Sequence, residues 1–352
     1  MGVVLLAAGL WALGWVMAVP VARRVWMLAA LWAGALIVHL ALPEGHALRA
    51  LVGGDARVWA VVGGLGGLVA GYVLGLRRLR ARARPAAEVA PPPGFRPAEL
   101  DRYARHILLR EIGGPGQARL KAARVLVVGA GGLGSPALLY LAAAGVGTIG
   151  VIDDDVVEGS NLQRQIIHTD GRIGLPKVQS AEIAMTALNP FITVRPYHRR
   201  LDAETAEALV AEYDLVLDGT DNFDTRYLVN RICVRAGKPL VSAAITQWEG
   251  QISLYDPARG TPCYECVFPE RPLPGMVPTC AEAGVAAPLP GIIGAMMAME
   301  AVKHITGAGE GLRGRLMIHD ALYGETRVIR AKPRPGCQAC GGGAGPAPLP
   351  PA

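Results

Sequence analysis

The chain has 352 residues, 51% of them hydrophobic, a mean hydropathy of +0.31 and a formal net charge of +6. That length suggests about two domains, and the hydropathy is high for a chain wholly in water. The charge is informative through its placement: residues 1–84 carry 9 Lys+Arg and 2 Asp+Glu, whereas residues 85–352 carry 26 and 27. The larger part therefore has no basic stripe of the kind that follows a phosphate backbone, which argues against a nucleic-acid partner.

Residues 2–22, 25–43 and 58–76 contain no Asp, Glu, Lys or Arg. Each run reaches the roughly 20 apolar residues that a membrane-spanning helix needs. Three spanning helices are the expectation. A cleaved signal peptide is the alternative for the first run, but it lacks a basic leading region and a small-residue cleavage site. A two-span version stays open, because His39 and the tryptophans soften the limits. Arg23 and Arg24 lie between the first two runs, and Arg77, Arg78, Arg80, Arg82 and Arg84 follow the third. The positive-inside rule puts both clusters in the cytoplasm, with the N-terminus outside. Such a juxtamembrane cluster suits anionic headgroups. Gly63, Gly67, Gly71 and Gly75 recur every four residues, a spacing that lets two membrane helices approach closely.

The expected boundaries are a membrane anchor over 1–77, a basic and Pro-rich linker over 78–98, one large domain over 99–341 and a disordered tail over 342–352. Within the large domain, residues 124–128 (Arg-Val-Leu-Val-Val) read as a strand ending in glycines. Residues 136–144 follow as a helix and 148–152 as a strand ending at Asp153. Residues 177–188 read as a helix, 193–196 as a strand, 203–212 as a helix and 215–217 as a strand. A later strand over 251–255 and a long apolar helix over 290–305 complete the pattern. Alternating strands and helices imply an α/β fold: a mostly parallel, Rossmann-like sheet with helices on both faces.

The chemistry gathers around Gly129-Ala-Gly-Gly-Leu-Gly134, a glycine loop between a strand and a helix. Gly129, Gly131, Gly132 and Gly134 permit a tight turn and close backbone approach, and the helix N-terminus favours a phosphate. Asp153 stands where an acid would bind a ribose hydroxyl. Gly64, Gly66 and Gly67 imitate the loop but sit inside an apolar run. Ser160-Asn-Leu-Gln-Arg-Gln165 then places Asn161 and Arg164 beyond the ribose, and Lys177 and Asp221 follow at strand–helix junctions. A nicotinamide enzyme does not need two cations and a metal-binding acid there. An enzyme cutting ATP between its α- and β-phosphates does: Arg164 and Lys177 would neutralise the triphosphate, and Asp221 would hold Mg2+. The sequence contains no Walker A lysine motif.

Four cysteines form two pairs, Cys263-Tyr-Glu-Cys266 and Cys337-Gln-Ala-Cys340. Their spacing suits a closed structural Zn2+ site; disulfides and an iron–sulfur cluster are the alternatives, and a cytoplasmic location disfavours the disulfides. Cys233 reads as core. Cys280 follows a Pro- and Gly-rich stretch and is either a mobile reactive thiol or an inert loop residue.

Together with Arg102-Tyr-Ala-Arg-His-Ile-Leu-Leu109, Gly174-Leu-Pro-Lys177, residues 218–222 and Thr279-Cys-Ala-Glu-Ala-Gly284, these motifs resemble the ThiF/MoeB/HesA family of adenylyltransferases, relatives of ubiquitin-activating enzymes. Their order is most similar to the molybdopterin-synthase branch. The resemblance covers residues 102–340 and leaves the first 98 residues outside. It implies that a small ubiquitin-like sulfur-carrier protein ending in Gly-Gly attacks ATP through its terminal carboxylate, giving an acyl-adenylate and pyrophosphate. It implies nucleotide contacts from Gly132 and Asp153, phosphate contacts from Asn161, Arg164 and Lys177, and Mg2+ on Asp221. Arg105 matches a residue supplied in trans within a homodimer, and Cys280 one that in some relatives takes up sulfur or forms a thioester. A scaffold that binds nucleotide or carrier without turnover is the non-enzymatic alternative, disfavoured by the intact charged residues. The expected location is the cytoplasmic membrane, with the catalytic domain inside.

Overall fold

The computed structural model describes residues 2–17, 19–82, 94–272 and 280–341. The expected tail over 342–352 and most of the expected linker lie outside them. The chain falls into two compact units, Met1–Ala90 and Pro91–Ala352.

The first unit is all-helical: α1 (Gly2–Val16), α2 (Val21–Ala41), α3 (Ala47–Val52) and α4 (Ala56–Arg82). Two of these, through Arg23–Ala41 and Ala56–Leu76, are long and apolar enough to cross a membrane. The first apolar run differs from its expectation of one 21-residue span. Pro20 sits at the entry to α2 and separates it from α1, which has only 15 residues. At 1.5 Å per residue α1 reaches about 22 Å, short of the roughly 30 Å hydrocarbon core.

The glycine face of α4 is also divided. A Cβ on Gly63 would stand 2.1 Å from the Trp32 indole, so this glycine is consumed by packing against α2. Gly67, Gly71 and Gly75 have nothing within 4 Å of such a Cβ. The turn between α2 and α4 is tied by polar contacts. Arg49 Nε donates to Nδ1 of the buried His39, and Arg49 Nη1 donates to the Leu42 carbonyl near the end of α2. Guanidinium donors suit the unpaired carbonyls of a helix C-terminus.

The second unit opens with α5 (Pro97–Ile107) and α6 (Gly113–Ala122) and continues as β1 (Arg124–Val128), α7 (Gly134–Ala144), β2 (Thr148–Ile152), α8 (Lys177–Leu188), β3 (Thr193–Tyr197), α9 (Ala203–Ala211), β4 (Leu215–Asp218), α10 (Phe223–Arg235) and β5 (Leu240–Thr246). It closes with β6 (Glu249–Tyr255), α11 (Tyr264–Val267), α12 (Cys280–Ala283), α13 (Pro288–Thr306), β7 (Arg315–Asp320) and β8 (Glu325–Arg330). The eight strands form one sheet in the order β3-β2-β1-β4-β5-β6-β7-β8. The first five are parallel; β6, β7 and β8 add antiparallel at one side.

Successive residues of β1 serve opposite faces, as a two-residue period requires. Val125 and Val127 enter the core that includes residues of α7, α8 and α13, while Leu126 and Val128 enter the core that includes residues of α9 and α10. A strand covered on both faces is apolar throughout, which is why this segment is a continuous Val/Leu run. The order reverses between β1 and β4. In such sheets ligands bind beyond the carboxyl ends of the strands at that switch point.

Candidate nucleotide site and cysteine cluster

The glycine loop leaves β1 at the switch point. Gly129 has φ +94°, a conformation open to glycine, and its N–H donates to the Ile152 carbonyl at 2.9 Å. The loop turns so tightly that a Cβ on Gly134 would lie 1.9 Å from the Gly129 carbonyl oxygen. It also abuts the loop after β4: a Cβ on Gly129 would stand 3.3 Å from the Gly219 carbonyl. No side chain caps the first turn of α7. The Gly131 and Gly132 amides have no hydrogen-bond partner among the described residues. Free backbone N–H groups beside an uncapped helix N-terminus form an anion-binding concavity.

Asp153 directly follows β2 beside this loop. Its Oδ2 accepts from the Ala130 N–H at 2.7 Å and its Oδ1 from the Asp155 N–H at 2.8 Å. Burial raises its pKa above the ordinary carboxylate value, against the Ala130 hydrogen bond and the nearby Lys177 ammonium. Each carboxylate oxygen retains capacity to accept a further hydrogen bond. Lys177 is the first residue of α8 and only 4% exposed, with Nζ 2.7 Å from Asp155 Oδ2. This contact occupies one of the three ammonium donors and leaves two for other acceptors. Arg164 Nη2 donates to Asn161 Oδ1 at 3.0 Å, and the Arg164 Cγ lies 3.7 Å from a Cβ built on Gly132. The structure thus gathers Gly129, Gly131, Gly132, Gly134, Asp153, Asn161, Arg164 and Lys177 around one loop.

Asp221 is exposed in the segment between β4 and α10. The segment is held from below by Asp218, which is fully buried. Asp218 accepts from the Thr220 N–H at 3.0 Å, the Thr220 hydroxyl at 2.7 Å and the Ser242 hydroxyl at 2.9 Å. The buried Arg226 guanidinium donates to the Thr220 and Ala243 carbonyls. Arg105 is exposed on α5 and makes no hydrogen bond to the loop cluster. Cys280 begins the short helix α12, and the stretch before it, residues 273–279, is outside the described residues.

His168 and Arg226 are supporting residues absent from the sequence reading, and Asp218 entered it only as part of the motif over 218–222. His168 is 5% exposed beneath the glycine loop, within hydrogen-bond distance of Ala130 and Ser180. Nearby, the side-chain oxygen of the buried Gln165 has no hydrogen-bond partner among the described residues.

The four paired cysteines converge with their ligand atoms all within 4.8 Å of one another. Neighbouring sulfurs stand 3.5, 3.7 and 3.8 Å apart. Four thiolates about 2.3 Å from a tetrahedral Zn2+ are spaced by roughly 3.8 Å, so the donor set fits zinc; a disulfide at about 2.05 Å does not. Burial pushes the Cys263 thiol pKa up. It acts the same way on Cys337, but there the Cys340 and Ala339 backbone amides, together with the Cys263 and Cys266 thiols, outweigh it and hold the pKa down. Amide donation to sulfur stabilises the thiolate form, the form that ligates metal.

The chain is 49% identical over 247 residues to the sulfur carrier protein adenylyltransferase of Thermus thermophilus, covering 69% of this chain and 91% of that one. It is 51% identical over 253 residues to the probable adenylyltransferase/sulfurtransferase MoeZ of Mycobacterium tuberculosis, where the match spans 69% of this chain but 64% of the relative. The crystal structure of E. coli MccB with ATP superimposes with a TM-score of 0.60 at 26% identity, over 68% of this chain and 74% of that one. Residues 103–339 match the ThiF family model, and the chain belongs to the ThiF family.

Proposed function

We propose that this protein uses ATP to adenylate the C-terminal carboxylate of a small ubiquitin-like sulfur-carrier protein ending in Gly-Gly. The observation that carries the proposal is the meeting of a glycine loop, a ribose-positioned acid and two cations at the switch point of the sheet. The name of the Thermus thermophilus relative supports the same substrate class.

In this reading Gly129, Gly131, Gly132 and Gly134 let the loop backbone meet the phosphates, and Asp153 accepts from the ribose. Asn161, Arg164 and Lys177 face the triphosphate. A carboxylate oxygen of the carrier attacks the α-phosphorus, the bond to the bridging oxygen breaks, and pyrophosphate leaves with that electron pair. Charge moves onto the leaving phosphates, where fixed cations stabilise it without reorganising. Asp221 would hold Mg2+, whose chemistry here is charge neutralisation on phosphate oxygens. Cys263, Cys266, Cys337 and Cys340 would hold a structural Zn2+. Arg105, exposed on α5, would serve the site of a second copy in a homodimer.

The remaining assignments are an anchor over 1–77, a linker over 78–98 and a catalytic domain over 99–341. Three apolar helices would lie in the cytoplasmic membrane, with the domain on the arginine-rich cytoplasmic side. The sulfurtransferase half of the MoeZ name favours a second step: the Cys280 thiolate displaces AMP from the acyl-adenylate, giving a thioester.

Carrier-dependent ATP–pyrophosphate exchange tests the first step. Exchange with a Gly-Gly carrier supports it; ATP binding without exchange by any candidate carrier favours a scaffold. Cys280→Ser should spare exchange while abolishing the labelled covalent adduct if the second step occurs.

A further inference from the structure

The glycine loop contains a peptide unit that glycine leaves free to flip, and one buried side chain prevents it. His168 lies between the loop and α8. Its Nε2 is 2.9 Å from the Ala130 carbonyl oxygen, and its Nδ1 is 2.9 Å from Ser180 Oγ. A carbonyl only accepts, so Nε2 carries the proton. In the neutral ring Nδ1 then accepts, and the Ser180 hydroxyl donates. Burial lowers the His168 pKa and favours that neutral ring. The line continues through Ala130, whose own N–H donates to Asp153.

The consequence follows from peptide planarity. In a trans peptide the C=O of one residue and the N–H of the next point in opposite directions. Drawing the Ala130 carbonyl down onto His168 therefore turns the Gly131 N–H up and away, and that N–H is among the loop amides without a partner in the described residues. A flip would present a carbonyl oxygen where a phosphate oxygen has to sit. Gly131 has no Cβ to oppose the flip. Ser180 stands three residues after Lys177 on α8, so the same imidazole ties the loop to the helix that carries the phosphate-facing ammonium.

We propose that His168 is a positioning residue that locks the Ala130–Gly131 peptide with its N–H facing the nucleotide phosphates. The proposal rests on the adenylation reading and deepens it. His168 touches no substrate; it acts through the backbone it holds.

The test measures ATP and adenosine affinity of the full-length protein in detergent, by calorimetry for ATP and by competition for adenosine. His168→Phe should weaken ATP about tenfold or more and leave adenosine within about twofold, since adenosine has no phosphate to meet the loop. His168→Gln should restore ATP binding, because an amide can donate to Ala130 and accept from Ser180. Ser180→Ala guards against misfolding of the larger change and should weaken ATP about threefold. Equal loss of ATP and adenosine in both His168→Phe and Ser180→Ala would overturn the proposal, as would unchanged ATP affinity in both. If the unaltered protein binds adenosine but not ATP, the adenylation reading fails, and the lock fails with it.

Discussion

Replacing Gly134 by alanine tests whether the glycine loop has the geometry that phosphate binding demands. Gly134 starts α7, and a Cβ there would lie 1.9 Å from the Gly129 carbonyl oxygen. Contacts below 3.0 Å are essentially never made by real Cβ atoms, so the loop or the helix has to retreat by more than 1 Å. The partner is backbone, which cannot swing aside like a flexible side chain. Gly134 is also wedged from the β4 side, where a Cβ on Gly219 would lie 3.2 Å from its nitrogen. The displacement therefore falls on the loop carrying the Gly131 and Gly132 amides. Misplacement by about 1 Å costs on the order of 10²-fold in rate when a reaction depends on positioned groups. The expected result is a hundredfold loss of carrier-dependent ATP–pyrophosphate exchange, with much of it appearing as weaker ATP binding. Exchange is read with labelled pyrophosphate, and thermal unfolding is read in parallel on the same preparation. An alanine variant with ordinary exchange and ordinary KM for ATP would refute the argument that this turn is packed to contact for the sake of the phosphates.

Asp221→Ala should lower exchange by about 10²-fold, the scale of removing one fixed electrostatic contributor. It should hardly move the melting temperature, because the residue is exposed; exchange at the ordinary rate would remove its metal role. Purified protein should contain one zinc per chain by elemental analysis, and Cys337→Ser should lose it. The cluster closes a span of 74 residues between Cys263 and Cys337, worth about 4 kcal/mol by loop-closure arithmetic, so a variant that melts like the parent would contradict a structural clip. Stability should also fall as pH drops below about 6.5. Burial lowers the pKa of both His168, faced by Lys177 and Arg172, and His304, faced by Arg313, Asp256, Arg259 and Glu300. The unfolded chain then takes up protons near 6.5 that the folded chain refuses. This stability is present above 6.5 and declines toward acid, with a slope approaching about one proton per histidine. A melting temperature that is flat or rising from pH 6.5 to 5 would show that these rings titrate in the fold.

The parts of the fold that were legible are those whose burial dictates composition. β1 and β2 are covered on both faces, so Val, Leu and Ile crowd into short runs that end at glycine or aspartate. α8 begins after Pro176 and ends before Asn189, and its limits match the expectation over 177–188. β8 was illegible because none of the described residues buries it. All six residues are exposed, and Glu-Thr-Arg-Val-Ile-Arg has no apolar face to show. α6 opens on Gly-Gly-Pro-Gly, which is poor helix-forming sequence, and is helical with Leu120 and Gln117 buried, a tertiary demand that overrides propensity. The first apolar run, read as one 21-residue segment, is divided for another reason. Counting charges measures hydropathy, whereas helical continuity is a property of the backbone, and Pro20 interrupts it.

The nucleotide site divides along the same physical line. Side chains that face a ligand carry a signature in residue type: an acid for a ribose, cations for phosphates, glycines where Cβ atoms would collide. Positions of those types stand out in the letters as candidates, and the structure brings eight of them about one loop. The residues that hold the loop carry no such signature, because half of each interaction is backbone. His168 meets the carbonyl of Ala130, and Arg226 meets the carbonyls of Thr220 and Ala243. A carbonyl belongs to every residue, so nothing in the letters marks Ala130 or Ala243 as a partner. A lone histidine in an irregular segment then looks like any surface ring until its burial is known. Loop geometry of this kind is decided by long-range approach, with Ala130 and His168 separated by 38 positions, and it becomes visible only once the sheet brings β1 and the segment after β2 together.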